Sequence, residues 1–186
     1  MSYPGRTLLW RRLDQPGHEP ARLVFHEPFW QLSGMAVFAH DDQACRLEYA
    51  VVCDGSWQTR HAWVVGWIGL RHVRVDLLVT ADRRWHLDGR AQPELGGCLD
   101  IDLAFSPSTN MLPIRRLALQ QGQAGAARAA WLAFPAFQLE VLDQTYRRTG
   151  NATYRYETNG SPPTELEVDA DGFVLRYPGR WELETL

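Results

Sequence analysis

Apolar and polar residues alternate along most of this chain with a period of two, which marks strands with one buried face. Leu47, Tyr49, Val51 and Cys53 share one side of a segment, and Val73, Val75, Leu77 and Val79 share one side of another. The pattern predicts strands over residues 21–26, 30–39, 46–53, 59–68, 72–80, 84–87, 99–105 and 114–119, spaced as in an all-β sandwich or barrel. Residues 80–85 read as a hairpin around Ala81-Asp82-Arg83. Residues 146–156 bend at Gly150-Asn151, and residues 166–177 bend at Asp169–Gly172, where Gly172 supplies a positive φ. The stretch 123–132 is ambiguous. Its alanines favour helix and predict a short one over residues 122–130, whereas Trp131-Leu132-Ala133-Phe134-Pro135 looks like a strand end.

Alternation accounts for the apolar residues of 97–117 but not for its acids and arginines. In a strand over 99–105, Leu99, Ile101, Leu103 and Phe105 occupy one face, and Asp100 and Asp102 share the other. If 114–119 pairs with that strand as a hairpin across 106–113, matching the apolar faces puts Arg116 with the two aspartates, as the partner of Asp102. Arg115 is then left at the loop end of the apolar face, as a partly buried guanidinium that needs an acceptor. One reading is a solvated cross-strand ion pair, contributing about 0.2–1 kcal/mol. The other is a concave polar face. There arginines grip a phosphate or carboxylate, acids hold sugar hydroxyls, and Thr109 and Asn110 contribute from the loop.

Composition narrows the class. The chain has 186 residues, 45% hydrophobic and 22% charged, a length that suits one domain over residues 1–186. All 19 basic residues are Arg, yet the net charge is −3, which argues against a nucleic-acid partner. Three cysteines are too few and too odd for a disulfide framework, so a reducing compartment is expected. Residues 1–13 lack the apolar core of a signal peptide, and no run of about 18 apolar residues occurs, so the expected location is cytoplasmic with no transmembrane segment. The six histidines show no tight metal spacing, and neither phosphate-loop nor dinucleotide fingerprints occur, so neither metal nor cofactor is expected. Eight tryptophans supply either a core or an aromatic cavity.

Residues 98–103 (Cys-Leu-Asp-Ile-Asp-Leu) followed by residues 106–117 (Ser-Pro-Ser-Thr-Asn-Met-Leu-Pro-Ile-Arg-Arg-Leu) resemble the signature of the bacterial "putative glycolipid-binding" domain family. Matching pieces run in order along nearly the whole chain. They include Val51-Val52-Cys53-Asp54, Trp57-Gln58-Thr59-Arg60, Ala130-Trp131, Gln144-Thr145-Tyr146-Arg147-Arg148, Gly172-Phe173-Val174 and Tyr177-Pro178-Gly179-Arg180-Trp181. The resemblance implies a mainly β fold, a single antiparallel sheet curled into a half-barrel around a few short helices, similar to the lipoprotein localisation factors. It also implies an apolar lipid or glycolipid ligand on the concave face of the sheet. Those carriers are exported and this chain shows no export signal, so a cytoplasmic ligand is expected.

Residues and resemblance together nominate Arg60, Asp100, Asp102, Asn110, Arg115, Arg116 and Tyr146 as polar anchors, with Trp57 and Trp131 as aromatic ones. A small-molecule lipid or glycolipid is the expected partner. Two alternatives stand beside binding. One is a hydrolase or isomerase acting on a sugar or lipid head group through Asp100 or Asp102. The other is an interaction scaffold with exposed sheet edges, for which a homodimer through an edge strand is the natural assembly.

Overall fold

Strict alternation becomes strict burial. In the strand Arg71–Val79, Val73, Val75, Leu77 and Val79 are buried while the residues between them are exposed. A computed structural model describes residues 5–185; the first four residues of the N-terminal stretch and Leu186 lie outside it. The strands are β1 (Arg6–Arg12), β2 (Gly17–His26), β3 (Phe29–His40), β4 (Gln43–Cys53), β5 (Thr59–Ile68), β6 (Arg71–Val79), β7 (Trp85–Leu87) and β8 (Arg90–Ala91). A 3-10 turn (Pro93–Leu95), β9 (Asp100–Leu103), a second 3-10 turn (Ser108–Asn110) and helix α1 (Met111–Leu117) follow. The chain continues through β10 (Ala124–Leu132), β11 (Leu139–Arg148), β12 (Thr153–Thr158), β13 (Ser161–Val168), β14 (Val174–Tyr177) and β15 (Trp181–Leu183).

All fifteen strands form one sheet in the order β8-β7-β6-β5-β4-β3-β2-β1-β15-β14-β13-β12-β11-β10-β9. The strands β1 to β8 are a meander. β15 then pairs with β1 antiparallel and joins the C-terminal meander to it. Every pairing is antiparallel except one: β9 runs parallel to β10, with Asp102 opposite Trp131. The expected curled sheet is therefore mixed rather than wholly antiparallel.

Two predicted elements change type. Residues 114–119 do not form a strand, because Met111–Leu117 is a helix that buries Met111, Leu112, Pro113 and Ile114. Pro113 sits in its first turn, where its missing N–H costs nothing, and Arg115 and Arg116 sit in the last turn, where the helix dipole favours cations. Residues 122–130 do not form a helix. The alanines belong to β10, which pairs with β11 through nine residues from Ala124 to Leu132 and with β9 on its other side. Backbone pairing on both edges outweighs the modest helical preference of alanine. The turn at Asp169–Gly172 forms as predicted, with Gly172 at φ +85.

The segment from the first 3-10 turn to α1 lies against the inner face of the sheet and divides the interior. On one side Leu95, Ile101, Leu103, Phe105, Met111 and Leu112 pack with Trp10, Leu23, Leu32, Leu47, Leu77 and Trp85. On the other, Ile114 packs with Tyr146, Tyr154, Tyr156, Leu166 and Val168. The first space is filled by the protein's own side chains, with Trp10 and Leu47 at 0% exposure. Among the described residues, this packed core covers the inner face of β1 to β7.

The edge strand β9 and the residues before it meet β5 and the β6–β7 turn without a strand ladder. Thr59 N–H donates to Leu99 O at 3.0 Å, and Ile101 N–H donates to Thr59 Oγ1 at 3.0 Å. The Arg83 guanidinium donates to Thr59 O at 2.9 Å and to Cys98 O and Leu99 O at 3.2 Å each. One planar cation thus bridges three carbonyls across the seam, adding to the Thr59 N–H that Leu99 O already accepts and to the Trp85 Nε1–H that Cys98 O accepts at 3.1 Å. Arg83→Ala is expected to lower stability by about 2–3 kcal/mol, since buried acceptors lose a charged donor. Arg83→Lys is expected to recover only part of that loss, measured by urea unfolding at neutral pH.

Candidate ligand-binding cleft

β9 presents its two acids away from the large apolar core. Asp100 is 1% exposed and is held by Arg116 of α1, whose Nε donates to Oδ1 at 3.0 Å and whose Nη2 donates to Oδ2 at 2.6 Å. Burial pushes the Asp100 carboxyl up, against the pull of Arg116. Arg116 thus pairs with Asp100, not with Asp102 as the alternation predicts. A helix, not a hairpin strand, carries the guanidinium, and its last turn places it one acid nearer the start of β9.

Asp102 has a different environment. Its Oδ2 accepts from Gln144 Nε2 of β11 at 2.7 Å, and the same amide nitrogen donates to Tyr156 OH of β12 at 3.0 Å. Burial raises the Asp102 carboxyl to about 6, with the Gln144 bond opposing the rise. Next to it Asn110 Nδ2 donates to Tyr146 OH at 3.0 Å, and the Tyr146 and Tyr156 rings lie 4.9 Å apart. These groups lie at or just beneath an open cleft of about 590 Å³. Asp102, Asn110, Trp131, Tyr156, Tyr177, Arg180 and Trp181 are on its walls. The Arg180 guanidinium lies 5.4 Å from the centre of the Tyr177 ring.

The nominated residues thus separate into groups. Asp102, Asn110 and Trp131 line the cleft, Tyr146 lies beneath it, and Asp100 and Arg116 form a buried pair beside it. Arg115 is elsewhere. It donates to Asp171 O and Oδ1 at 2.6 Å each, and its guanidinium lies 4.4 Å from the Trp57 ring, which stacks on Trp30. Arg60 donates to Asp54 Oδ2 at 2.9 Å. Arg115, Trp57 and Arg60 hold turns and helix together some way from the cleft residues, and the acceptor that Arg115 needs is Asp171.

Sequence reasoning passed over a second buried acid. Glu19 of β2 is fully buried, and its Oε1 accepts from Tyr49 OH at 2.6 Å and from Ser106 Oγ at 2.5 Å. The Tyr49 hydroxyl oxygen also lies 2.7 Å from Ser108 Oγ. Glu19 Oε2 has no partner among the described residues. Burial raises this carboxyl to about 7. Gly34 makes the arrangement possible, because a Cβ there would fall 2.5 Å from the Tyr49 hydroxyl. The readable signal was register: Glu19 alternates in phase with the inward-facing Ala21 and Leu23. Gln144, Tyr156 and Tyr177 were likewise missed, although Gln144 and Tyr156 share the inward phase of their strands.

These features define an all-β protein in which an open, curled sheet wraps a helical insert and leaves a polar, aromatic-walled cleft. Residues 7–182 match the model of the family described as "Putative glycolipid-binding", and the chain belongs to that family. Among solved structures it is similar to a DUF1089 family protein from Pseudomonas aeruginosa. The two are 30% identical with a TM-score of 0.76, over 88% of this chain and 91% of that one. No curated protein matches the chain. Among the described residues, no helix is long and apolar enough to cross a membrane.

Two stability tests follow from the buried acids. Arg116→Ala is expected to cost about 3–5 kcal/mol in chemical unfolding by stranding Asp100, and Asp100→Leu combined with Arg116→Met to recover most of it. Glu19 acts with the opposite sign to an ordinary paired acid. Between pH 4.5 and about 7 the unfolded chain releases its proton while the folded chain keeps it, so stability falls as pH rises. The loss is on the order of 3 kcal/mol. Glu19→Gln is expected to remove the part of that decline lying between about pH 6 and 7 in unfolding curves taken from pH 4.5 to 8, while Asp102, raised to about 6, still contributes below that.

Proposed function

We propose that this protein binds a glycolipid and seats the sugar head group in the cleft between β9 and β14. The observation that carries the reading is the Asp102–Gln144–Tyr156 floor beneath aromatic walls. Hydroxyls of a sugar bond well to a carboxylate, and its C–H faces pack well on tyrosine and tryptophan rings. The family description supports the ligand class. Because the larger core is occupied by Trp10, Phe105 and their neighbours, the head group supplies the contacts inside the cleft. Three cysteines, all free and buried, support a cytoplasmic location.

The acid–base alternative draws on Asp100 and Asp102 together. Both oxygens of Asp100 are taken by Arg116, which leaves Asp102 alone of the two on the cleft and favours binding over catalysis. The scaffold alternative needs a free edge. β8 is two residues long, and carbonyls beside β9 are occupied by Arg83 and Thr59.

Native mass spectrometry of protein purified from its own host is expected to show a co-purifying species with the mass of a glycosylated lipid. Ligand-free spectra together with no binding to glycolipid vesicles would overturn the reading. With Asp102 at about 6, head-group affinity is expected to fall as the pH drops from 7.5 to 5, because the protonated carboxyl is a poorer acceptor. Calorimetric titration of Asp102→Asn should show a weaker and pH-independent affinity.

A further inference from the structure

The cleft is unbalanced in charge. Its walls carry Asp102, Glu140 and Asp143 against one arginine, Arg180, which lies over the Tyr177 ring. Its floor is unbalanced in hydrogen bonding. Both protons of the Gln144 amide are spent, one on Asp102 and one on Tyr156. Among the described residues no donor reaches Asp102 Oδ1, and the Gln144 carbonyl oxygen is buried without a partner. The floor offers Asp102 Oδ1 as a charged acceptor, and its remaining donor is the neutral Tyr156 hydroxyl, whose oxygen accepts from Gln144.

We propose that the cleft accepts sugar head groups whose polar groups are hydroxyls or ammonium and rejects those carrying phosphate, sulfate or carboxylate, with Asp102 as the residue that sets this preference. The inference rests on the glycolipid-binding reading above and narrows it. A hydroxyl or ammonium that meets Asp102 Oδ1 forms a charge-assisted hydrogen bond. An anionic group brings a like charge to a carboxylate in a partly desolvated site and leaves its acceptors unpaired. Glu140 extends the same sign along the wall, and Asp143 does so in part, since Arg128 lies 4.0 Å from it, so Arg180 alone does not reverse it.

The test uses the full chain with phosphatidylcholine vesicles carrying glucosyl, glucosaminyl or glucuronosyl diacylglycerol, or phosphatidylglycerol, and reads affinity by flotation. The free methyl glycosides, titrated separately, show whether the head group suffices without a lipid. Glucosyl and glucosaminyl lipids are expected to bind about tenfold more tightly than the two anionic lipids, the size of one partly screened charge contact. Asp102→Asn keeps an oxygen for the Gln144 amide and is expected to narrow that ratio to about threefold or less, mainly by admitting the anionic lipids. Glu140→Gln combined with Asp143→Asn, both exposed, must narrow it in the same direction and does not depend on the buried floor. Equal binding of all four lipids, a preference for the anionic ones, or a ratio unmoved by these substitutions overturns the selectivity and leaves glycolipid binding in place. No binding to any sugar-bearing lipid overturns both.

Discussion

The bidentate contact between Arg116 and Asp100 holds the centre of this molecule together. It ties the only α-helix among the described residues to the edge strand β9, and between them these two elements divide the interior. The pair is almost fully enclosed, with side-chain exposures of 15% and 1%. Its attraction is set against the cost of taking two charges out of water. What it secures is geometry: α1 cannot slide along β9 without separating two ions in a poorly hydrated interior. The packing of Met111 and Leu112 on one side and Ile114 on the other follows from that placement.

From this anchor the sheet can be read as a wrapper. Its two halves reach the insert from opposite directions, β10 by pairing with β9, and the N-terminal half through Thr59 of β5 and Arg83 of the β6–β7 turn. A sheet of fifteen strands needs something to curl around, since open sheets of that size twist and otherwise expose one face. The insert supplies an apolar surface to the β1–β7 side and a polar one to the β11–β14 side. The asymmetry is written in β9, where Ile101 and Leu103 alternate with Asp100 and Asp102.

Three acids inside one fold show how environment sorts identical chemistry. Asp100 is paired with a guanidinium and is structural. Glu19 is surrounded by hydroxyls in the core and retains its proton near neutrality, which ties β2 and β4 to the wall at Ser106. Asp102 has one oxygen held by a neutral amide and opens onto a cleft, which is where a ligand can use it. The distinction lies in the partner each acid meets, and each partner comes from a different element of the fold.

Local periodicity was enough for much of the fold. The strand over 59–68 has the same bounds in sequence and structure, and the split between Asp100, Asp102 and Ile101, Leu103 follows from alternation alone. The match to a family along nearly the whole chain was likewise a property of residues in order. Tertiary structure decided what periodicity cannot carry. The alanines of 124–132 are a strand because β9 and β11 flank them, and 111–117 is a helix because the insert must turn inside the sheet. Arg116 meets Asp100 rather than Asp102 for the same reason. The cleft brings Gln144 to Asp102 across 42 residues, and the Glu19 cluster brings Ser106 to β2 across 87. Side-chain alternation reports which way a residue faces within its own strand, whereas the identity of its neighbour is set by how distant strands pair and curl.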